Sequence, residues 1–286
     1  MNIPIGYVIT LLCALGGYAL SGGHIGVLYQ PTELLIIFGA GIGTMISSNN
    51  ARALKMTGAA MPAVFKSPHV SKRLFLDLLC LMFEILSKIR RDGLMSMEGD
   101  IEDPETSPLF EKYPLIKHDH HLLDFITDYL RMMLGGSLNV LQLESLMEQE
   151  IEAHHQNVHL PVAIIQRMAD GLPAFGIVAA VMGVVHTMGS VGLPPAELGK
   201  LIGAALVGTF LGILLAYAFV GPIASVMEQN AQIEAKTFDA VKAVLLASLN
   251  GFPPQAAIEF GRKILYADMR PTFVELDEET KALKGK

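Results

Sequence analysis

The residues best able to handle an ion lie in two apolar stretches, 170–190 and 197–222. They are His186 and Thr187 in the first stretch and Thr209 in the second. A histidine can bind and release a proton near neutral pH, and a threonine hydroxyl can orient water or a carboxylate. Ion carriers generally depend on an intramembrane carboxylate, but no Asp or Glu lies in the middle of an apolar stretch. If the protein conducts ions, a partner must therefore supply the carboxylate.

These side chains also have structural interpretations. His186 can be a packed histidine bonded to a backbone carbonyl, and Thr209 can bond the carbonyl four residues before it. Glu33, Asp170 and Glu197 lie at the ends of apolar stretches, where helix starts and interface charges account for them. The residues alone leave both interpretations open, with His186 and Thr209 as candidates for the wall of an ion path.

Two polar segments outside the apolar stretches are further candidates. The histidines of KHDHH (117–121) could hold a metal, but a solvated helix end explains them better. Residues 87–104 carry dense mixed charge, which is typical either of a solvated turn or of a surface that orients a partner protein. The chain has no Walker loop, dinucleotide fingerprint or nucleophile elbow. We therefore expect no enzymatic site, no cofactor and no metal.

The composition indicates a polytopic membrane protein. Hydrophobic residues make up 51% of the 286-residue chain and charged residues only 17%, which is too apolar for an ordinary soluble domain. The formal net charge of −7 argues against a nucleic-acid partner, which would need a basic face.

Four membrane spans are predicted, at about 3–20, 32–48, 170–190 and 197–222, because a bilayer core takes about 20 helical residues. The last two spans carry small residues at a step of four, which places them on one helix face and predicts close packing. These residues are Gly176, Ala180 and Val184 in span three and Ala204, Gly208, Gly212 and Ala216 in span four.

The spans divide the chain into membrane segments 1–48 and 170–222, a helical segment 49–169 and a helical tail 223–286. The short turns 21–30 and 191–196 contain no Lys or Arg, whereas both long polar segments contain several. The positive-inside rule therefore places both long segments, and both termini, in the cytoplasm. The fold class expected is all-α: a four-span transmembrane protein with a helical cytoplasmic domain.

Local patterns give more detail on the polar segments. Apolar residues at helical spacing predict helices ending at Asp92-Gly93 and over 120–134 and 139–155, with a proline-spaced loop at 99–114. Pro173 fits the first turn of span three. Pro222 predicts a bend in a helix that continues from span four into the tail.

Four long blocks of the chain, 16–50, 170–190, 207–224 and 249–266, resemble the MotA family of flagellar motor stator subunits. The resemblance covers nearly the whole chain and extends, more distantly, to the ExbB and TolQ proton-channel subunits. It implies a pentameric ring of four-span chains in the bacterial inner membrane around two helices of a MotB-like, single-span partner. That partner carries the ion-binding aspartate, and ion flow drives torque on the rotor protein FliG.

Carried over by position, the resemblance also assigns roles to residues. Arg90 and Glu98 match rotor-contacting charges, and Pro173 and Pro222 match hinges. Ala180 and Thr209 match pore-facing positions; alanine at 180 favours protons over sodium. The adjacent Arg91-Asp92 adds charge that the family pattern does not require. The alternative is an ExbB/TolQ-type subunit energising outer-membrane processes, although such subunits generally have three spans.

Overall fold

The computed structural model describes residues 2–65, 70–136, 138–190 and 192–284, and within these ranges it contains helices and no strand. Up to residue 135 the α-helices are α1 (Asn2–Leu20), α2 (Ile25–Leu28), α3 (Pro31–Ser47), α4 (Ala51–Val64), α5 (Lys72–Asp92), α6 (Glu98–Glu102), α7 (Pro108–Glu111), α8 (Pro114–Lys117) and α9 (His120–Gly135). They are followed by α10 (Val140–Met188), α11 (Pro195–Leu214), α12 (Gly221–Leu249), α13 (Pro254–Ile264) and α14 (Phe273–Lys284). A 3₁₀ helix, Leu94–Met97, precedes α6, and a π-helix, Leu215–Val220, joins α11 to α12. The all-α prediction is confirmed.

Four helical segments are long and apolar enough to cross a membrane. They are Ile3–Leu20, Ile25–Ser47, the apolar part of Val140–Met188 and the apolar part of Pro195–Leu249. The prediction of four spans is therefore confirmed, and α1 and α3 match the first two predicted spans closely. Val191, in the predicted turn 191–196, lies outside the described residues.

The chain forms two compact units. The membrane unit comprises Met1–Ser67 and Asn157–Gln229, and the second unit comprises Pro68–Gln156 and Asn230–Lys286. Each unit has its own apolar core. The candidate ion-path residues belong to the membrane unit, and the mixed-charge segment 87–104 belongs to the second unit.

Helix α10 differs from the prediction. The helix expected at 139–155 and the span expected from residue 170 belong to one helix of 49 residues, with Pro161 and Pro173 inside it. Pro173 therefore does not lie in a first helical turn, and that prediction is wrong. An internal proline removes one backbone hydrogen bond, a loss that packed neighbours can offset in membrane helices. Around Pro173, the buried Ala169 and Leu172 supply such packing.

The core of the second unit is organised around α5. Its predicted apolar stripe is almost wholly buried, including Leu74, Leu78 and Ile85. The helix begins where the Ser71 side chain accepts a hydrogen bond from the backbone N–H of residue 74, and it ends at Gly93, whose φ is +82°. The sequence patterns for this helix and its end are confirmed.

Helix α14 is held to the start of α5 by charged side chains. Lys72 Nζ lies 2.7 Å from Glu275 Oε1, and this hydrogen bond lowers the pKa of Glu275 to about 2. Arg73 Nη1 lies 3.5 Å from Glu279 Oε1. These exposed pairs link the last described helix of the chain to the core helix of its own unit, and exposed ion pairs of this kind stabilise a fold only weakly.

The sequence predicts a loop at 99–114, but the segment contains short helices. Helices α7 and α8 begin at Pro108 and Pro114, each at the first helical position. Proline is well suited there, because its fixed φ is helical and its missing N–H would be unpaired in any case. The prolines that suggested a loop are therefore helix starts.

Candidate functional site

Spans three and four pack against each other through glycines of α10 and α11. A β-carbon at Gly176 would lie 2.8 Å from the Gly208 carbonyl oxygen and 2.9 Å from the Gly212 Cα atom. A β-carbon at Gly212 would lie 2.8 Å from the Gly176 Cα atom. Larger residues would overlap the backbone of the facing helix, so glycine is what allows this close approach. The predicted close packing of the two small-residue faces is confirmed.

One end of this contact differs from the prediction. Val184 is exposed and Ala204 is only partly buried. Gly183 and Ala205 make the contact instead, since a β-carbon at Gly183 would lie 2.7 Å from the Ala205 Cβ atom. A helix has 3.6 residues per turn, so a strict step of four drifts off the contact face after two turns. The assignment of Val184 to that face was therefore wrong.

The three candidate pore residues have different surroundings. Ala180 is only 8% exposed, and its backbone nitrogen would lie 3.1 Å from a β-carbon at Gly208. Ala180 is thus covered by α11 of the same chain. His186 is exposed and Thr209 is partly buried. The roles of all three in an ion path stay predictions.

Thr209 lies on a face of α11 that the described part of the chain leaves largely uncovered. Ile202, Leu206 and Ile213 are 43%, 62% and 48% exposed, and their spacing places them on the same helix face as Thr209. Among the described residues, the Thr209 hydroxyl has no hydrogen-bond partner in the protein. By contrast, the Thr187 hydroxyl donates to the Gly183 carbonyl at 2.8 Å. Thr209 therefore presents a free hydroxyl on an otherwise apolar face.

The burial of Glu33 is a feature of the candidate site that the sequence did not predict. The position of Glu33 at the start of a span predicts an interface charge, but the residue is buried, with 8% of its surface exposed. Its Oε1 atom would lie 3.8 Å from a β-carbon at Gly183, which itself abuts Ala205. The carboxyl group therefore lies where α3, α10 and α11 meet. Its position at the first turn of α3 gave no signal of which helix face would be covered.

The end of span four has an irregular backbone. Pro222 follows the π-helix Leu215–Val220, which widens the helix just before a residue that has no N–H to donate. The Tyr7 hydroxyl of α1 donates to the Phe219 carbonyl at 2.5 Å, and the two rings lie 4.8 Å apart. The helix continues from span four into the tail as predicted, the bend at Pro222 stays a prediction, and Tyr7 is a contact that the sequence did not reveal. Whether Pro173 or Pro222 acts as a hinge stays a prediction.

Arg90 and Glu98 lie at the end of α5 and the start of α6, in the second unit. Both side chains are exposed, and within the described ranges neither forms an ion pair or a side-chain hydrogen bond. Met95, between them in sequence, is 65% exposed. This segment thus presents a cation, an anion and an apolar side chain at the surface of the second unit.

The charged side chains next to Arg90 and Glu98 form ion pairs within the chain. Lys88 Nζ lies 2.5 Å from Asp100 Oδ2, and the Ser107 hydroxyl donates to Asp100 Oδ1 at 2.6 Å. Arg91 and Asp92 form their own ion pair at 2.8 Å, and the hydrogen bond from Arg91 lowers the pKa of Asp92. The extra charges noted at Arg91-Asp92 therefore neutralise each other.

Two histidines of the segment KHDHH (117–121) contact a backbone carbonyl group and another histidine ring. His118 Nδ1 lies 2.6 Å from the Pro114 carbonyl oxygen, and the His121 ring lies 5.8 Å from that of His154. In the part of the chain that the structure describes, no group of three or more His, Cys, Asp or Glu side chains is placed to hold a metal ion.

Comparison with known proteins gives the family. Residues 4–93 match "Motility protein A N-terminal", and residues 119–240 match the "MotA/TolQ/ExbB proton channel family". Motility protein A of Salmonella typhimurium is 48% identical over 285 residues, which cover 100% of this chain and 97% of that protein. The chain belongs to the motility protein A family. Motility protein A of Escherichia coli is 49% identical with the same coverage. Chemotaxis protein LafT of Vibrio parahaemolyticus is 39% identical, over 96% of each chain.

Solved structures agree with the fold of the motility protein A family. The structure of C. jejuni MotAB matches with a TM-score of 0.78 at 19% identity, covering 95% of this chain and 98% of that one. The flagellar MotAB stator complex from Bacillus subtilis matches with a TM-score of 0.69 at 24% identity, covering 89% and 91%. At these identities the likeness concerns the fold.

The family membership confirms the resemblance found in the sequence and the expectation of a flagellar stator subunit. The ExbB/TolQ-type alternative is not favoured, because the close full-length relatives are motility proteins. Together with the four apolar helices, membership of the motility protein A family makes this chain a multi-pass membrane protein.

Proposed function

We propose that several copies of this chain surround the membrane helices of a MotB-like partner and form with them the ion channel of a flagellar stator. The observation that carries the proposal is the free Thr209 hydroxyl on an uncovered apolar face of α11. A face of this kind fits a second helix, and the hydroxyl can hydrogen-bond a carboxylate on that helix. The partner's aspartate supplies the charge that the middle of each span lacks.

The assembly we propose is a pentamer in the bacterial inner membrane with both termini in the cytoplasm. The orientation is supported by the Lys and Arg residues of the long polar segments and by their absence from the turns 21–30 and 191–196. The chain itself carries out no enzymatic reaction and needs no cofactor or metal. Its proposed function is to convert ion flow into movement of the stator ring.

We propose protons as the ion. Ala180 provides no hydroxyl at the position where sodium-driven relatives tend to have one, so a sodium ion would find one ligand fewer there. Ala180 contributes through its small size, since it lies against Gly208 and lets α11 approach α10. Thr209 contacts the partner's carboxylate, and the exposed His186 forms a polar part of the wall.

Movement at the channel would pass to the rotor through the two proline sites. Pro173 and Pro222 each lack a backbone donor within a helix, and a π-helix adjoins Pro222. At such sites a helix bends more readily than along a regular stretch. Arg90 and Glu98, exposed and unpaired within the described ranges, then contact charges of opposite sign on FliG.

Cross-linking tests the proposed channel. With Thr209→Cys in this chain and a cysteine beside the aspartate in the partner's helix, oxidation should join the two proteins, because the helices would be in contact. Leu35→Cys is the matched control: Leu35 is 74% exposed on α3, which would lie away from the channel. Cross-linking at Leu35 with none at Thr209 would contradict the proposed lining.

A further inference from the structure

Glu33 has an unusual environment for a carboxyl group in a membrane protein. It is more than nine-tenths buried, and its Oε2 atom has no hydrogen-bond partner among the residues that the structure describes. Its Oε1 atom points toward Gly183, near the contact of that glycine with Ala205. A β-carbon at Gly183 would lie 3.8 Å from Oε1, which is van der Waals distance, so the carboxyl group packs directly against α10.

No compensating charge reaches this carboxyl group within the described ranges. The charged or histidine side chains nearest to it along the surrounding elements are His186 near the end of α10, Glu197 and Lys200 near the start of α11, and His24 before α2, and all four are exposed. None of them forms an ion pair with Glu33 among the described residues. A carboxylate ion buried without a partner or a donor is strongly unfavourable, and such a group takes up a proton instead.

We propose that Glu33 is a proton-binding site of this chain itself, distinct from the carboxylate that the partner contributes. It takes a proton from the water on the side of the membrane opposite the cytoplasm, where the turn 21–30 would lie. It holds the proton on the buried carboxyl group and releases it toward the partner's carboxylate. Its ligand is the proton, since one carboxyl group without further oxygen ligands does not make a site for a metal cation.

The role of this site in ion flow depends on the proposed channel function, but the binding of a proton does not. Glu33 lies against α10 and α11, the helices proposed to line the channel, so its proton is held beside the path. Each copy of the chain would then carry one proton at rest. Small shifts between α10 and α11 would change the burial of the carboxyl group and with it the proton affinity of Glu33.

Infrared spectroscopy of the purified complex tests proton binding directly. With ¹³C-labelled glutamate, a protonated glutamate should give a carbonyl band that the label shifts, unlike the band of the partner's aspartate. We expect this band in the wild type and with Glu197→Gln, which alters an exposed glutamate near the start of α11, and its loss with Glu33→Gln. Persistence of the full band in Glu33→Gln would overturn the proposal.

Proton flux into vesicles containing the complex tests the role of the site. Glu33→Gln should lower the flux about a hundredfold, the lower range of what a positioned proton-transfer group contributes. Glu33→Asp should retain more of the flux, and Glu197→Gln should leave it unchanged. Wild-type flux in Glu33→Gln would refute the role in ion flow.

Two controls separate the possible failures. If the wild type itself passed no protons, the proposed proton channel would be wrong, and the infrared band would still decide whether Glu33 binds a proton. If Glu33→Gln did not assemble, Glu33→Asp would replace it, because the labelled band should then vanish and an unlabelled band appear. A labelled band that stayed in Glu33→Asp would overturn the proposal.

Discussion

Swimming is expected to fall to less than about a tenth of normal in cells carrying Arg90→Glu, because like charges facing each other across an interface cost several kcal/mol. Arg90 is exposed and has no ion pair within the described ranges, so the change removes no contact inside the chain. The protein should therefore accumulate normally and still pass ions. Speed on soft agar, protein level and ion flux are the measurements.

The neighbouring Arg91 provides the control for charge alone. It is 78% exposed and paired with Asp92, so Arg91→Glu should have a much smaller effect on swimming. Reversal of an opposing charge on the rotor protein should partly restore the Arg90→Glu cells. Normal swimming with Arg90→Glu, or equal loss with Arg91→Glu, would remove Arg90 from the rotor contact.

Gly212→Leu should prevent assembly of the membrane unit. Even a β-carbon there would lie 2.8 Å from both the Gly176 Cα atom and the Leu172 carbonyl oxygen, and backbone atoms cannot move aside as a flexible side chain can. We expect the smaller change Gly212→Ala to lower the free energy of unfolding by about 2 kcal/mol, as overpacking of a tight contact does. Thermal unfolding of the purified complex measures this.

Gly203 of the same helix is the matched control for this prediction. A β-carbon there would meet no atom within 4 Å in the single chain. Gly203→Ala should therefore unfold at the same temperature as the wild type, or slightly higher because alanine favours the helix. Equal stability of Gly212→Ala and Gly203→Ala would contradict the close packing of α10 and α11.

The fold was predictable where one local signal decides the outcome. Apolar length gave the four spans, and helical spacing gave the buried stripe of α5. Prolines misled the prediction because their effect depends on context. Pro173 lies within a continuous helix, whereas Pro108 and Pro114 start short helices in a segment predicted as a loop. The packing around each proline decides between these outcomes, and a local sequence pattern does not predict that packing.

The candidate site was predictable in part, for the same reason. Residue type was enough to select Thr209, and the resemblance supplied Arg90, whose side chain is indeed free of partners in the described ranges. Glu33 was undervalued because its burial depends on α10 and α11, which are distant in sequence. The Tyr7 contact with Phe219 likewise joins residues 212 positions apart. Such long-range contacts leave no periodic pattern in the chain.

The rotation of tethered cells whose only stator consists of this chain and its partner tests most directly whether the stator is driven by protons. Rotation speed is measured with a protonophore at low and at high sodium. We expect rotation to stop at both concentrations, because proton flow drives the movement of the ring. Rotation that continues under the protonophore in high sodium would contradict a proton-driven stator.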